Sequence, residues 1–147
     1  MIRRVPCLLL ATFVSVAMSA AAGAVAPLRP PVIRELFTLL PCPTSPSRRD
    51  STIGMEGCQE HMIVASDARI DALAKQIFGQ LADDPARRRF VAGEKAWLAY
   101  RSAFCNSQSD IFEGGTGAPV EFAGCVVHVN AQHVKDLTEF HGDLGPH

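Results

Sequence analysis

Apolar residues recur at helical spacing in three stretches of this chain, which predicts three helices. The stretches run from about residue 56 to 82, from 84 to about 105, and from about 120 to 140. Residues repeating every three or four positions share one helix face, and an apolar face packs into a core. The apolar residues on these faces are Ile63, Ile70, Ile77 and Leu81, then Phe90, Trp97, Leu98 and Phe104, and finally Val126, Val129, Leu137 and Phe140. No convincing strand-like alternation appears, so the predicted fold class is all-α.

Proline, glycine and capping residues divide the chain between these helices. Asp84 followed by Pro85 predicts an N-cap with proline at the first helical position. Residues 25–52 are rich in proline and serine, which predicts an irregular leader with one short helical turn across 32–40. The small helical domain is therefore expected over 53–141, followed by a tail at 142–147.

The N-terminus has the three parts of a secretory signal peptide. Arg3 and Arg4 form a basic start, residues 8–18 are an uncharged apolar run, and small residues follow. Cleavage is expected after an A-x-A site that ends at Ala22 or Ala24. The apolar run is too short to remain as a membrane anchor. We therefore expect a soluble protein, periplasmic or secreted, after removal of residues 1–24.

The charge of the chain argues against a nucleic-acid partner. The 147 residues hold 14 basic and 15 acidic side chains, for a net charge of −1. Residues 1–24 carry two of those basic side chains and no acidic one, so the mature chain has a net charge of −3. Nucleic-acid-binding domains carry a basic excess, which this sequence lacks. The length suits one globular domain.

The cysteine content agrees with export. Cys7 is lost with the signal peptide, which leaves Cys42, Cys58, Cys105 and Cys125. Four cysteines in an exported chain predict two disulfides, for which three pairings exist. We favour Cys42–Cys58 and Cys105–Cys125 because each would close a loop at a helix end. A zinc site is disfavoured because no C-x₂-C pair occurs, and no cofactor is expected.

Four ionisable residues fall on the apolar faces of the predicted helices: Asp67, Glu94, Arg101 and His133. Buried charges are costly unless they are paired, so we expect these side chains to meet each other. Two carboxylates with a histidine and an arginine could in principle form a hydrolytic site. Because no nucleophile or metal-ligand set accompanies them in the sequence, we interpret them as a structural network. Arg101 is expected to lie buried near Trp97 and to pair with Asp67 or Glu94.

The second helix carries a motif that resembles a family signature. Residues 94–105 contain the pattern W-x₂-[YF]-R-x₃-C, and Gly114, Gly115, Thr116 and then Cys125 follow it. Further matching positions upstream are Thr52, Met55, Glu56, Cys58, Asp67, Ile70 and Asp71. Over about 52–137 this combination resembles the LprI-like family. The resemblance implies a small exported helical protein with Trp97 and Tyr100 as core anchors.

The same resemblance implies lysozyme inhibition, with no enzymatic activity of the protein's own. A c-type lysozyme is cationic, so a chain of net charge −3 would be attracted to it. Occlusion of the lysozyme cleft needs a protruding loop, and the candidates are residues 42–52 and 107–120. The acidic residues Asp110, Glu113 and Glu121 favour the second loop, which also contains Gly114 and Gly115. The alternatives are an interaction module for another exported protein and, less favoured, a small hydrolase built on the four buried ionisable residues.

Overall fold

Three long helices preceded by an extended segment form the part of the chain, residues 27–145, that the computed structural model describes. The helices are α1 (Pro46–Arg49), α2 (Thr52–Gln80), α3 (Asp84–Ser109) and α4 (Gly117–Asp143), with a 3₁₀ turn at Asp110–Phe112. These residues contain no strand, so the all-α prediction is confirmed. The expected signal peptide at 1–24 and the last two residues of the expected tail lie outside the described residues.

Capping side chains set the start of α2 and of α3. Ser51 Oγ accepts a hydrogen bond from Gly54 N at 3.1 Å, and Asp83 Oδ1 accepts one from Ala86 N at 2.7 Å. These bonds satisfy N–H groups that have no acceptor within the helix. The prediction of Asp84 as the N-cap is wrong by one residue, because Asp83 takes that role and Asp84 is already helical.

The long helices extend beyond the apolar stretches that predict them. α2 begins at Thr52, ahead of the predicted start near residue 56. Its first turns contain Gly54 and Gly57, which are weak helix formers. Both glycines are buried, and a Cβ at Gly57 would lie 2.5 Å from the carbonyl oxygen of Pro41. This part of α2 packs against neighbouring backbone, so apolar periodicity does not reveal it.

Two apolar clusters along the inner helix faces make up the core. The first cluster comprises Ile63, Cys105, Ala123, Cys125, Val126 and Val129. The second comprises Ile70, Ile77, Leu81 and Leu137. Trp97 packs against both clusters, and α4 lies against both α2 and α3. The predicted inner faces are confirmed here, whereas Phe104 and Phe140 are exposed at the edges.

An extended segment, residues 30–42, lies along α2 and is called the strap below. The backbone N–H of Ile33 donates to Asp71 Oδ1 at 3.1 Å, and that of Leu40 donates to Glu60 Oε2 at 2.6 Å. Earlier strap residues thus meet later helix residues, so the strap runs antiparallel to α2. Carboxylates of α2 thus satisfy backbone N–H groups of the strap. These N–H groups would bond to the strap's own carbonyl groups if the strap were helical.

The predicted helical turn across 32–40 is wrong. Burial alternates along the strap: Ile33, Glu35 and Phe37 are half-buried, while Val32 and Leu36 are exposed. Only an extended backbone places every second side chain on one side. Packing of Phe37 against the first cluster stabilises the extended conformation. This stabilisation requires the helices that form the cluster, so the sequence of the strap alone does not reveal it.

Both favoured disulfides are present. Cys42–Cys58 fastens the end of the strap to α2, and Cys105–Cys125 joins the last turns of α3 to α4. Among the helices of residues 27–145, none has the length and apolar character required to cross a membrane.

Candidate functional site

A buried polar network centred on Arg101 joins the strap to all three long helices. Arg101 Nη1 donates to Asp67 Oδ1 at 2.8 Å and to Asn130 Oδ1 at 3.0 Å, and Nη2 donates to Glu35 Oε1 at 2.7 Å. Asn130 Nδ2 donates to Asp67 Oδ1 and to Ser66 Oγ, each at 2.8 Å. Charged donors bound to two carboxylates in a buried setting form strong, directional contacts.

Burial dominates the ionisation of Asp67 and raises the pKa of its carboxyl to about 6 from an ordinary 3.8. The neighbouring Glu35 carboxyl raises the pKa further, whereas Arg101 and Asn130 lower it. Asp67 Oδ2 is buried without a hydrogen-bond partner, which disfavours the charged form of the carboxyl.

Glu94 and His133 form a second pair, separate from Arg101. His133 Nε2 donates to Glu94 Oε2 at 3.1 Å, and the His133 ring stacks on Trp97 with centroids 3.8 Å apart. The guanidinium carbon of Arg101 also lies over the Trp97 ring, 5.4 Å from the ring centroid. The four predicted residues are therefore all buried, but they form two separate pairs, Asp67 with Arg101 and Glu94 with His133.

Sequence reasoning missed two of the residues that bind Arg101, Glu35 and Asn130. Asn130 lies on the same face of α4 as Val126 and His133, which is a signal that the sequence offers. Glu35 lies on the extended strap, and no local pattern connects it with Arg101. Asp67, Arg101 and Asn130 are buried, whereas Glu35 is half-buried, and no group of metal-ligating side chains is found among residues 27–145. The contacts of the network join the strap, α2, α3 and α4.

Tyr100 is not a core anchor, contrary to the expectation from the motif. Its side chain is 53% exposed and stacks on Phe104, with ring centroids 5.3 Å apart and planes 14° from parallel. The helical turn from Trp97 to Tyr100 moves away from the core, because α4 packs on the Arg101 and Cys105 side of α3. Trp97 does pack against the core, as expected.

The exposed aromatic pair forms one wall of a groove of about 540 Å³ between α3 and α4. Trp97, Tyr100, Phe104 and Gln108 line it from α3. The α4 wall is largely polar and comprises Glu121, Gly124, Cys125, His128, Val129, Gln132, His133 and Asp136. We call this feature the α3–α4 groove. Its aromatic and polar walls give it the mixed chemistry of a binding site.

The connection from α3 to α4, residues 110–116, protrudes beside this groove and is called the acidic loop. Ile111 is 77% exposed, and Phe112, Asp110 and Glu113 are also exposed. Glu113 adopts φ 49° and Gly114 adopts φ 74°, so the chain reverses through two left-handed residues. The Cys105–Cys125 disulfide closes the base of the connection.

A narrow turn fixes the shape of this loop. Gly115 N donates to the carbonyl of Phe112 at 2.8 Å. A Cβ at Gly117 would lie 2.7 Å from Phe112 Cδ1, so the glycine makes room for that ring. The predicted loop residues Asp110, Glu113, Gly114 and Gly115 are thus brought together on one exposed connection.

Comparison with protein families gives a match to the model described as lysozyme inhibitor LprI, over residues 42–137. The chain belongs to the LprI family. The match covers most of the described residues, including all four disulfide cysteines, the acidic loop and the α3–α4 groove. LprI membership indicates a lysozyme-inhibitor-like function at the level of the family. Comparisons with curated proteins and with solved structures gave no match.

Proposed function

We propose that this protein binds c-type lysozyme and inhibits it by inserting the acidic loop into the substrate cleft. The single observation that carries the proposal is membership of the LprI family, whose members are described as lysozyme inhibitors. The loop is the described element whose shape and charge best suit that task. It protrudes, is clamped by a disulfide at its base, and presents an exposed isoleucine beside two carboxylates.

Preorganisation supports a binding role for this loop. A segment already held in its bound conformation loses less conformational entropy on association than a flexible one. The left-handed pair at Glu113 and Gly114 and the hydrogen bond within the turn restrict the loop in this way. Carboxylates at its tip attract a cationic partner and accelerate the encounter.

A lysis assay tests inhibition directly. Purified mature protein is added to lysozyme and a bacterial suspension, and loss of turbidity is followed. We expect dose-dependent slowing at micromolar concentration. If lysis proceeds at the same rate at every dose, the proposed inhibition is wrong, and a module for another exported protein becomes the better interpretation.

Variants of the loop test the mode of binding. Because buried apolar contacts at an interface centre dominate affinity, Ile111→Ser is expected to weaken inhibition about tenfold or more. Leu36→Ser on the strap is the matched control, since that leucine is 99% exposed, and it should leave inhibition unchanged. Equal effects of both variants would contradict the role of the loop.

Charge variants separate steering from contact. Asp110→Asn combined with Glu113→Gln should lower the association rate and reduce its dependence on salt, because rim charges act mainly on encounter. Stopped-flow binding at two ionic strengths measures both quantities. An unchanged salt dependence would place the interface elsewhere on the molecule.

Export is part of the same proposal, because the function requires access to an extracytoplasmic enzyme. Protein recovered from the periplasm or the medium should have lost residues 1–24 or 1–22, leaving Val25 or Gly23 at the N-terminus. Intact-mass measurement and N-terminal sequencing check this. An unprocessed chain starting at Met1 in the cytoplasmic fraction would contradict it.

A further inference from the structure

The α3–α4 groove has free aromatic faces on one wall. The face of Trp97 towards α4 is occupied by His133, at a centroid separation of 3.8 Å. Tyr100 and Phe104, in contrast, are exposed and nearly parallel to each other. The two rings are offset-stacked on each other, and no described side chain of α4 is stacked on their outer faces. Exposed aromatic faces attract planar or cationic groups.

Charge selects among those groups. The carboxylates that line the groove belong to Glu121 and Asp136, and its described lining contains no lysine or arginine. Asp136 Oδ1 accepts a hydrogen bond from Gln132 Nε2 at 2.8 Å, which orients this carboxylate on the exposed surface of α4. The other polar groups of the α4 wall are imidazoles and amides. A cation is therefore favoured over an anion.

Guanidinium matches both walls at once. Its planar face stacks on aromatic rings, and its edge donates two parallel hydrogen bonds to a carboxylate. An ammonium group gains the charge attraction without the stacking or the paired donors. We propose that the α3–α4 groove binds an arginine side chain of a basic protein partner, with its guanidinium on the outer face of the stacked Tyr100–Phe104 pair and its donors towards Asp136 or Glu121.

The groove continues into the acidic loop. Gln108 and Glu121 line one end of the groove and flank the loop in sequence, on α3 and α4 respectively. A partner seated on the loop would therefore extend along the groove. The inference rests on the proposed function in taking the partner to be a cationic protein, and it adds a second contact that the loop does not supply.

The test is a titration of the isotope-labelled mature protein by NMR. The probes are N-acetyl-arginine amide, the lysine analogue and the neutral citrulline analogue. We expect saturable shifts at Tyr100, Phe104 and Gln132 with the arginine probe, weaker binding of the lysine probe and no binding of the citrulline probe. Equal responses to arginine and citrulline, or shifts confined to other surfaces, would overturn the proposal.

Variants of Tyr100 and Asp136 test whether the arginine probe binds at the aromatic pair. Tyr100→Ala should weaken binding of the arginine probe at least threefold, and Tyr100→Phe should retain it, because the ring supplies the contact. Asp136→Asn should weaken binding of the arginine probe, so that its affinity approaches that of the citrulline probe. Since Tyr100 and Asp136 are exposed, the variants should fold normally, and their amide spectra verify this. Unaltered affinity in both Tyr100→Ala and Asp136→Asn would refute the site.

Lysozyme binding by the same proteins separates this inference from the proposed function. Loss of lysozyme affinity in Tyr100→Ala, with retention in Tyr100→Phe, supports both. Binding of the arginine probe without lysozyme binding by the parent protein leaves the groove site standing and contradicts the proposed function. Lysozyme binding that is unaffected by Tyr100→Ala, together with no binding of the arginine probe, contradicts the groove site alone.

Discussion

Arg101 connects four segments of the chain through one side chain. Its guanidinium binds Asp67, Asn130 and Glu35, so its removal leaves buried carboxylates without a cation. Breaking a buried pair in this way costs about 3–5 kcal/mol. Arg101→Ala is expected to lower the free energy of unfolding by that amount, measured by urea denaturation.

A surface arginine on the same helix is the control for this experiment. Arg88 is exposed on α3, so Arg88→Ala should change the free energy of unfolding by no more than about 0.5 kcal/mol. Any lysozyme inhibition by folded Arg101→Ala should survive. A variant that melts like the parent yet loses inhibition would place Arg101 on a functional surface instead.

Asp67 should make stability depend on pH. Its pKa is raised from 3.8 to about 6, chiefly by burial, so the folded protein retains a proton that the unfolded chain releases in this window. The resulting contribution to stability is fully present below pH 3.8 and is lost as the pH rises through about 6. A difference of this size corresponds to on the order of 3 kcal/mol.

The matched variant for this effect is Asp67→Asn, which cannot titrate. Urea denaturation at several pH values gives the free energy of unfolding of both proteins. Relative to Asp67→Asn, the parent should lose stability between pH 4 and pH 6.5. A parallel pH dependence of the two proteins would show that Asp67 keeps its ordinary pKa.

At the scale of elements, two glycines of α2 occupy opposite environments. A Cβ at Gly57 would lie 2.5 Å from the Pro41 carbonyl oxygen, whereas Gly79 has nothing within 4 Å of that position. Gly57→Ala should therefore displace the strap and destabilise the protein by about 1–3 kcal/mol. Gly79→Ala should stabilise it by about 0.5–1 kcal/mol, because alanine favours the helix.

Thermal melting of the two alanine variants distinguishes packing from helix propensity. The changes in melting temperature should have opposite signs, although both variants replace glycine with alanine in the same helix. Stabilisation by both variants would mean that the strap is not packed on α2 in solution.

At the scale of the molecule, each disulfide is expected to restrain a different part. Cys105 and Cys125 are 20 residues apart, and a cross-link of this span stabilises a domain by about 3 kcal/mol. Replacing both with serine should lower stability by at least that amount and accelerate amide hydrogen exchange in the acidic loop. The matching Cys42→Ser/Cys58→Ser variant should accelerate exchange in the strap instead.

Peptide mapping without reduction checks the pairing itself. We expect peptides that link Cys42 to Cys58 and Cys105 to Cys125. A peptide joining Cys42 to Cys105 or Cys125 would contradict the structure at this level.

The periodicity of the sequence was sufficient for the three long helices and their buried faces. Ile63, Ile70 and Ile77 recur at seven-residue spacing, and all three are fully buried in the structure. The favoured cysteine pairing also followed from local order, because each pair links cysteines that are neighbours in sequence and closes a connection that leads into a helix. Such features depend on residues that are close in sequence and on regular helix geometry, so they can be predicted from the sequence alone.

Only the tertiary structure decided which distant residues meet. Arg101 was expected to be buried, but its contact with Glu35 depends on the path of the strap along α2, and its contact with Asn130 depends on how α4 packs. The exposure of Tyr100 has the same origin, since a helix does not specify which of its faces its neighbours cover. The extended form of the strap is likewise stabilised by side chains of α2 that its own sequence does not contain.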